Sequence, residues 1–180
     1  LYRNEIRDIN INKRFGINKK KYILATIHRE DITSNINVLV SILLELKKLA
    51  TFRKILLPIH PRTYVTLKKH NKINLLNDLN VIKPVPYFEM QSLIKNSFMI
   101  ITDSGGLQKE SFFNKVNCVT LRTETEWPET VNCGWNILFD PQRKDLRNFV
   151  DAVNQRVKKN LKPFGDGNTC RRIINIITTV

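Results

Sequence analysis

Apolar residues fall along the chain in short unbroken runs, separated by longer stretches with helical spacing. Lys21 to Ala25, Lys54 to Ile59, 79–83, Phe98 to Ile101, Asn117 to Leu121 and Ile137 to Phe139 have strand length and few interior polar residues. From Ile36 to Ala50, by contrast, Val38, Leu39, Ile42, Leu43, Leu46 and Leu49 line one face of a helix. Further helices are predicted near 62–70, over 89–96, from Gly105 to about Asn114, and over 143–159 and 168–178. Residues 4–15, with Ile6, Ile9 and Phe15 among charges, predict a helix that Gly16 ends. Residues 26–35 and 121–130 read as polar loops.

Apolar strands alternating with amphipathic helices predict a parallel sheet covered on both faces. The expected fold class is α/β: a three-layer, doubly wound, Rossmann-like parallel sheet. No internal repeat, linker or low-complexity tail interrupts it. The chain of 180 residues matches about one domain.

Charge adds a second constraint. Thirty Lys and Arg against sixteen Asp and Glu leave +14. That balance suits an anionic partner: nucleic acid, an acidic membrane surface or a phosphorylated small molecule. The abundance of Asn, Ile and Lys also makes part of the charge compositional. The basic residues look scattered, without interleaved aromatics, which disfavours a nucleic-acid-binding module. No run approaches the roughly 20 apolar residues of a membrane helix, so no membrane partner is expected. Cys118, Cys133 and Cys170 are far apart, with no C-x-x-C. That argues against zinc and disulfides and for a reducing, cytoplasmic setting. The first residue, Leu1, is not an initiator Met, and the expectation is a piece of a longer chain.

In a doubly wound sheet, ligands bind beyond the carboxyl ends of the strands. Three clusters fall there: Thr26-Ile27-His28-Arg29-Glu30-Asp31, His60-Pro61-Arg62-Thr63, and Thr102-Asp103-Ser104-Gly105-Gly106-Leu107-Gln108-Lys109-Glu110. His28 and His60, each near an arginine, read as functional or structural in about equal measure; His70 reads as solvated. In the third cluster, Asp103 or Ser104 can cap the helix. Gly105 and Gly106 let backbone approach a ligand, and the helix start suits phosphate. Glu110 can accept from vicinal hydroxyls such as those of a ribose. Neither G-x-G-x-x-G nor G-x-x-x-x-G-K-[ST] is present. A fourth segment, Leu121 to Thr130, carries Arg122, able to meet a phosphate or pair with a carboxylate, and Glu126 and Glu129, able to hold loop backbone or contact sugar.

These residues together resemble the UDP-N-acetylglucosamine 2-epimerase family. The likeness lies in Thr26-Ile27-His28-Arg29-Glu30, His60-Pro61, Thr102 to Gly106 with Gln108 and Glu110, Leu121-Arg122, Thr125-Glu126, Pro128-Glu129 and Phe164-Gly165-Asp166-Gly167, in family order over residues 20–172. The resemblance implies two Rossmann-like lobes of the glycosyltransferase-B kind, with UDP-sugar between them. This chain is similar to the C-terminal, nucleotide-holding lobe: 19–180 would be the UDP-binding domain, and 1–18 the connecting helix from a missing N-terminal lobe. Ser104, Gly105 and Gly106 would hold the UDP phosphates and Glu110 the ribose. Arg122 and Glu126 would line the cleft, and His28 would be catalytic beside the sugar. Arg29 and His60 match positions of a regulatory UDP-N-acetylglucosamine site in some bacterial members.

The implied reaction interconverts UDP-N-acetylglucosamine and UDP-N-acetylmannosamine. The C2 proton leaves, UDP is expelled to give 2-acetamidoglucal, and UDP adds back. No metal or cofactor is expected. The principal acid/base carboxylates would belong to the absent lobe, so this chain alone would bind UDP and turn over little or nothing. Also implied are a homodimer in the full-length form and a place in cell-surface polysaccharide biosynthesis. A hydrolysing epimerase that releases N-acetylmannosamine and UDP, an epimerase for a related UDP-amino sugar and a non-catalytic basic binding module are the alternatives. The chain departs from the common pattern at Asp31, Lys109 and Trp127, where Asn, Glu and Arg are usual, which suggests a subgroup.

Overall fold

The structure, a computed structural model, describes residues 14–178. The strand-length runs become β1 (Tyr22–Thr26), β2 (Lys54–Pro58), β3 (Asn80–Ile82), β4 (Met99–Thr102), β5 (Asn117–Thr120) and β6 (Asn136–Leu138). All pair in parallel, in the order β3-β2-β1-β4-β5-β6. The order runs outward from β1 in one direction and from β4 in the other. The topological switch point, where crossing connections diverge and leave a crevice, therefore lies between β1 and β4.

The helices are α1 (Glu30–Thr33), α2 (Ile36–Ala50), α3 (Pro61–Lys69), α4 (Tyr87–Asn96), α5 (Gly105–Phe113), α6 (Pro128–Asn132), α7 (Leu146–Gln155) and α8 (Thr169–Thr178), with a 3₁₀ turn at Ile73–Leu76. Side chains alternate between the two faces of each strand. Ile23, Ala25, Ile55, Leu57, Met99, Ile101 and Val119 join the core beneath α2 and α7. Tyr22, Leu24, Leu56, Ile100 and Cys118 join the core that holds Leu93 and Ile94 of α4. This is the expected three-layer arrangement.

Two loop expectations are corrected. Residues 26–35 contain α1, which buries Ile32 and Thr33, and 121–130 run into α6, started by Pro128 at its first position. The helix expected over 143–159 is shorter, because Arg156 turns to extended backbone. The expected connecting helix lies largely outside the described residues; Gly16, at φ +57°, sits where its end was expected. Among the described residues, no helix is long and apolar enough to cross a membrane, and no His/Cys/Asp/Glu group has metal-site clustering. Cys118, Cys133 and Cys170 are free thiols, and burial pushes the Cys118 thiol up to about 12.

One long-range polar contact fastens α2 to α7. Glu45 is buried; its Oε2 accepts the Leu146 backbone N–H at 3.1 Å, and its Oε1 accepts from Lys48 Nζ at 2.6 Å. Asp145, at the N-cap position, makes no capping bond with its side chain, so Glu45 serves as the cap from another helix. Glu45→Ala should cost about 2 kcal/mol, because it strands a buried N–H. Urea denaturation checks this.

Candidate functional site

The carboxyl ends of β1 and β4 are tied together by threonines. Thr26 and Thr102 are Cα partners, and their hydroxyls are 2.7 Å apart. Thr102 Oγ1 also accepts the Ser104 N–H at 2.9 Å. Of the two candidate caps, Ser104 is the one that caps α5: its Oγ accepts from the Leu107 N–H at 3.5 Å. Asp103 faces the other strand. Fully buried, it accepts the backbone N–H groups of His28 and Arg29 on Oδ2, at 2.7 and 2.8 Å. Its Oδ1 stands 3.4 Å from His28 Nδ1.

The β1 loop is also gripped from α3. Thr63 donates to the Ile27 carbonyl, and Arg62 Nη1 donates to the His28 carbonyl at 3.2 Å. His60 caps α3, its Nδ1 accepting the Arg62 N–H at 3.1 Å. Its ring centroid lies 5.4 Å from that of His28. Burial, then the neighbouring charges of His28 and Arg62, lower the His60 pKa, with Asp103 opposing. His70 ends α3 in solvent.

Opposite this group, Arg122 and Arg29 converge on Glu126. Glu126 Oε1 lies 2.6 Å from Arg122 Nη1 and 3.4 Å from Arg29 Nη1. Its Oε2 reaches over the start of α5, 3.3 Å from where a Cβ on Gly105 would stand; Trp127 Nε1 is 3.5 Å from the same point. Hydrogen bonding from Arg122 is the chief reason that Glu126 is held below the usual carboxylate range. Arg29, Arg122, Glu126, Gly105 and Trp127 thus share one corner of the rim. A helix start flanked by two guanidinium groups is a strong anion-binding arrangement. Glu110 lies farther along α5, half-buried; burial raises its pKa and Gln91 opposes the rise.

A buried polar network supports the 122–130 segment. Gln108 Oε1 accepts from Thr125 Oγ1 and, at 3.3 Å, from Asn136 Nδ2. Asn136 accepts from Thr120 at 2.9 Å and donates to Thr130 at 3.1 Å. Sequence reasoning did not find the roles of Thr26, Thr120, Thr130 and Asn136. The available signal was that β1, β4 and β5 each end in threonine. Two of the departures, Lys109 and Trp127, face each other: Lys109 Nζ stands 4.0 Å from the Trp127 ring centroid, a cation–π pair.

Basic and aromatic residues that look scattered in sequence do meet in one place. A groove of about 730 Å³ beside α5 includes Phe112, Lys115, Trp135, Lys158, Lys162 and Phe164. It is distinct from the switch-point corner, for it shares neither histidine nor arginine with it.

The fold and this corner define the class first: a doubly wound α/β domain that gathers two arginines, a carboxylate and the start of α5 at the carboxyl ends of its strands. Residues 1–178 match the UDP-N-acetylglucosamine 2-epimerase family, and the chain belongs to that family. It is 40% identical to a UDP-N-acetylglucosamine 2-epimerase homolog of Methanococcus maripaludis, over 96% of this chain and 49% of that protein. It is 36% identical to the UDP-2,3-diacetamido-2,3-dideoxy-D-glucuronate 2-epimerase of Pseudomonas aeruginosa, over 84% of this chain and 43% of that protein. The crystal structure of the Methanocaldococcus jannaschii UDP-GlcNAc 2-epimerase in complex with UDP-GlcNAc and UDP superposes with a TM-score of 0.85 at 34% identity, covering 98% of this chain and 51% of that one. The chain therefore spans about half the length of the relatives it matches.

Proposed function

We propose that the chain is the UDP-holding half of a UDP-N-acetylglucosamine 2-epimerase, which interconverts UDP-N-acetylglucosamine and UDP-N-acetylmannosamine by eliminating UDP and adding it back. The observation that carries this reading is the corner where Arg29 and Arg122 converge on a carboxylate laid over the first turn of α5. The same donors suit the diphosphate of UDP, whose negative charge grows as the C1–O bond breaks. The Gly105 and Gly106 amides and Ser104 meet the phosphates. Glu110 accepts from the ribose hydroxyls. His28, next to Arg29 on the loop after β1, lies beside the sugar and diphosphate and exchanges a proton there. Arg29 and His60 stand where a second, regulatory nucleotide sugar would touch.

The carboxylates that take and return the C2 proton belong to the other half of the enzyme, so this chain alone turns over little or nothing. In the full-length form it is a cytoplasmic homodimer that serves cell-surface polysaccharide biosynthesis. The free thiols fit a reducing compartment.

Calorimetric titration of the chain with UDP tests the reading. Ser104→Ala and Glu110→Ala should each weaken binding about tenfold, the effect of one lost hydrogen bond to a charged group. Unchanged affinity in both variants would overturn it.

A further inference from the structure

We infer that Asp103 is a positioning residue for His28, fixing the imidazole proton on Nδ1 and leaving Nε2 as the nitrogen that exchanges a proton in the cleft. The inference rests on the reading of His28 given above and goes beyond it by assigning the tautomer and the group that sets it.

Asp103 is the first residue past β4 and has no exposed surface. Closing the rim between β1 and β4 needs only its Oδ2, which takes both backbone N–H groups of the His28–Arg29 step. Those two bonds fix the plane of the carboxylate and bring Oδ1 to 3.4 Å from His28 Nδ1. Oδ1 has no hydrogen-bond partner, and it is buried. A carboxylate oxygen only accepts, so the imidazole nitrogen that faces it carries the proton. A small rotation of the His28 ring closes the bond.

The second histidine supplies an internal contrast. His60 Nδ1 accepts the Arg62 N–H, so its proton sits on Nε2. Two rings 5.4 Å apart therefore hold opposite tautomers, one set by a carboxylate and the other by a backbone amide. Meanwhile the backbone of His28 is held at its N–H by Asp103 and at its carbonyl by Arg62. Only the two side-chain torsions of His28 are left, and the ring nitrogen that faces Asp103 restrains them.

Long-range proton–nitrogen spectra of the uniformly ¹⁵N-labelled chain, taken where imidazole is neutral, report each tautomer directly. His60→Gln and His70→Gln assign the three histidines. The expected result is His28 mainly Nδ1–H and His60 mainly Nε2–H. In Asp103→Asn, the amide oxygen keeps the two backbone bonds while the NH₂ group now donates toward Nδ1, so His28 shifts to mainly Nε2–H. A wild-type His28 in the Nε2–H form overturns the inference, as does an unchanged tautomer in a folded Asp103→Asn. Should that variant not fold, the wild-type spectrum decides alone. UDP added to the same samples is read separately: no response of the α5 amides would sink the nucleotide-site reading and leave the tautomer result standing.

Discussion

Gly134→Ala lowers the stability of the domain by about 3 kcal/mol, a fall of about 6–12 °C in Tm for a chain of this size. Gly134 has φ +81°, and a Cβ there would stand 2.4 Å from the Val157 backbone oxygen. The left-handed conformation alone costs alanine about 1–2 kcal/mol. The rest comes from the collision, which only backbone movement can relieve. That backbone is fastened: Lys159 N–H donates to the Cys133 carbonyl at 3.1 Å, and Lys158 Nζ to the Gly134 carbonyl at 2.6 Å. Arg156 Nη1 also donates to the Asn136 carbonyl at 3.0 Å, and Asn136 belongs to the network under the 122–130 segment. The damage should thus reach the site. Gly165→Ala is the control. Gly165 has φ +84° with nothing within 4 Å of its would-be Cβ, so it should lose only the conformational part, about 1–2 kcal/mol. Equal losses by thermal denaturation in both variants would show that the Val157 contact yields freely.

The sheet was legible because β1, β2, β4 and β5 are covered on both faces and so read as unbroken apolar runs. The long helix α2 was legible for a different reason: its apolar spacing is sustained, and Asn35 caps it. By contrast, α1 is four residues long and α6 five, too short for a periodic signal. The end of α7 depended on the contacts of Arg156 and Lys158 with the β6 region, which no local pattern encodes.

At the site, rim membership followed from strand ends alone, so His28, His60, Ser104 and Gly105 were found. The choice between Asp103 and Ser104 was not. It depends on β1 being the neighbour of β4, a pairing of residues about 75 apart in sequence. The same is true of Arg29, whose guanidinium reaches Glu126 across 97 residues. Lys109 and Trp127 looked like two separate departures in sequence. In space they form one contact, which keeps a positive charge beside α5 where Arg is usual at 127.

Gly106→Asp separates binding from folding most sharply. Gly106 is exposed in the first turn of α5, and the nearest atom to its would-be Cβ is Ser104 Oγ at 3.7 Å, so the side chain fits. An aspartate in the first turn gains about 0.3–1 kcal/mol from the helix dipole. Replacing glycine by aspartate inside a helix gains only about 0.3 kcal/mol more, since aspartate is itself a poor helix former. The variant should therefore be as stable as the parent or slightly more so. Its carboxylate, however, takes the N–H-rich end of the helix where the proposed function puts the phosphates. Two unit charges 4 Å apart near a protein surface repel by about 4 kcal/mol. Even after screening, a loss of about 100-fold in UDP affinity, near 2.7 kcal/mol, is expected. Gly106→Ala adds bulk without charge and should keep most of the affinity. The pair thus reports charge rather than space, by calorimetry against unchanged thermal denaturation. If Gly106→Asp bound UDP like the parent, the diphosphate would not lie at α5. The convergence of Arg29 and Arg122 would then be a salt-bridge cluster that holds the 122–130 segment in place, with no part in catalysis.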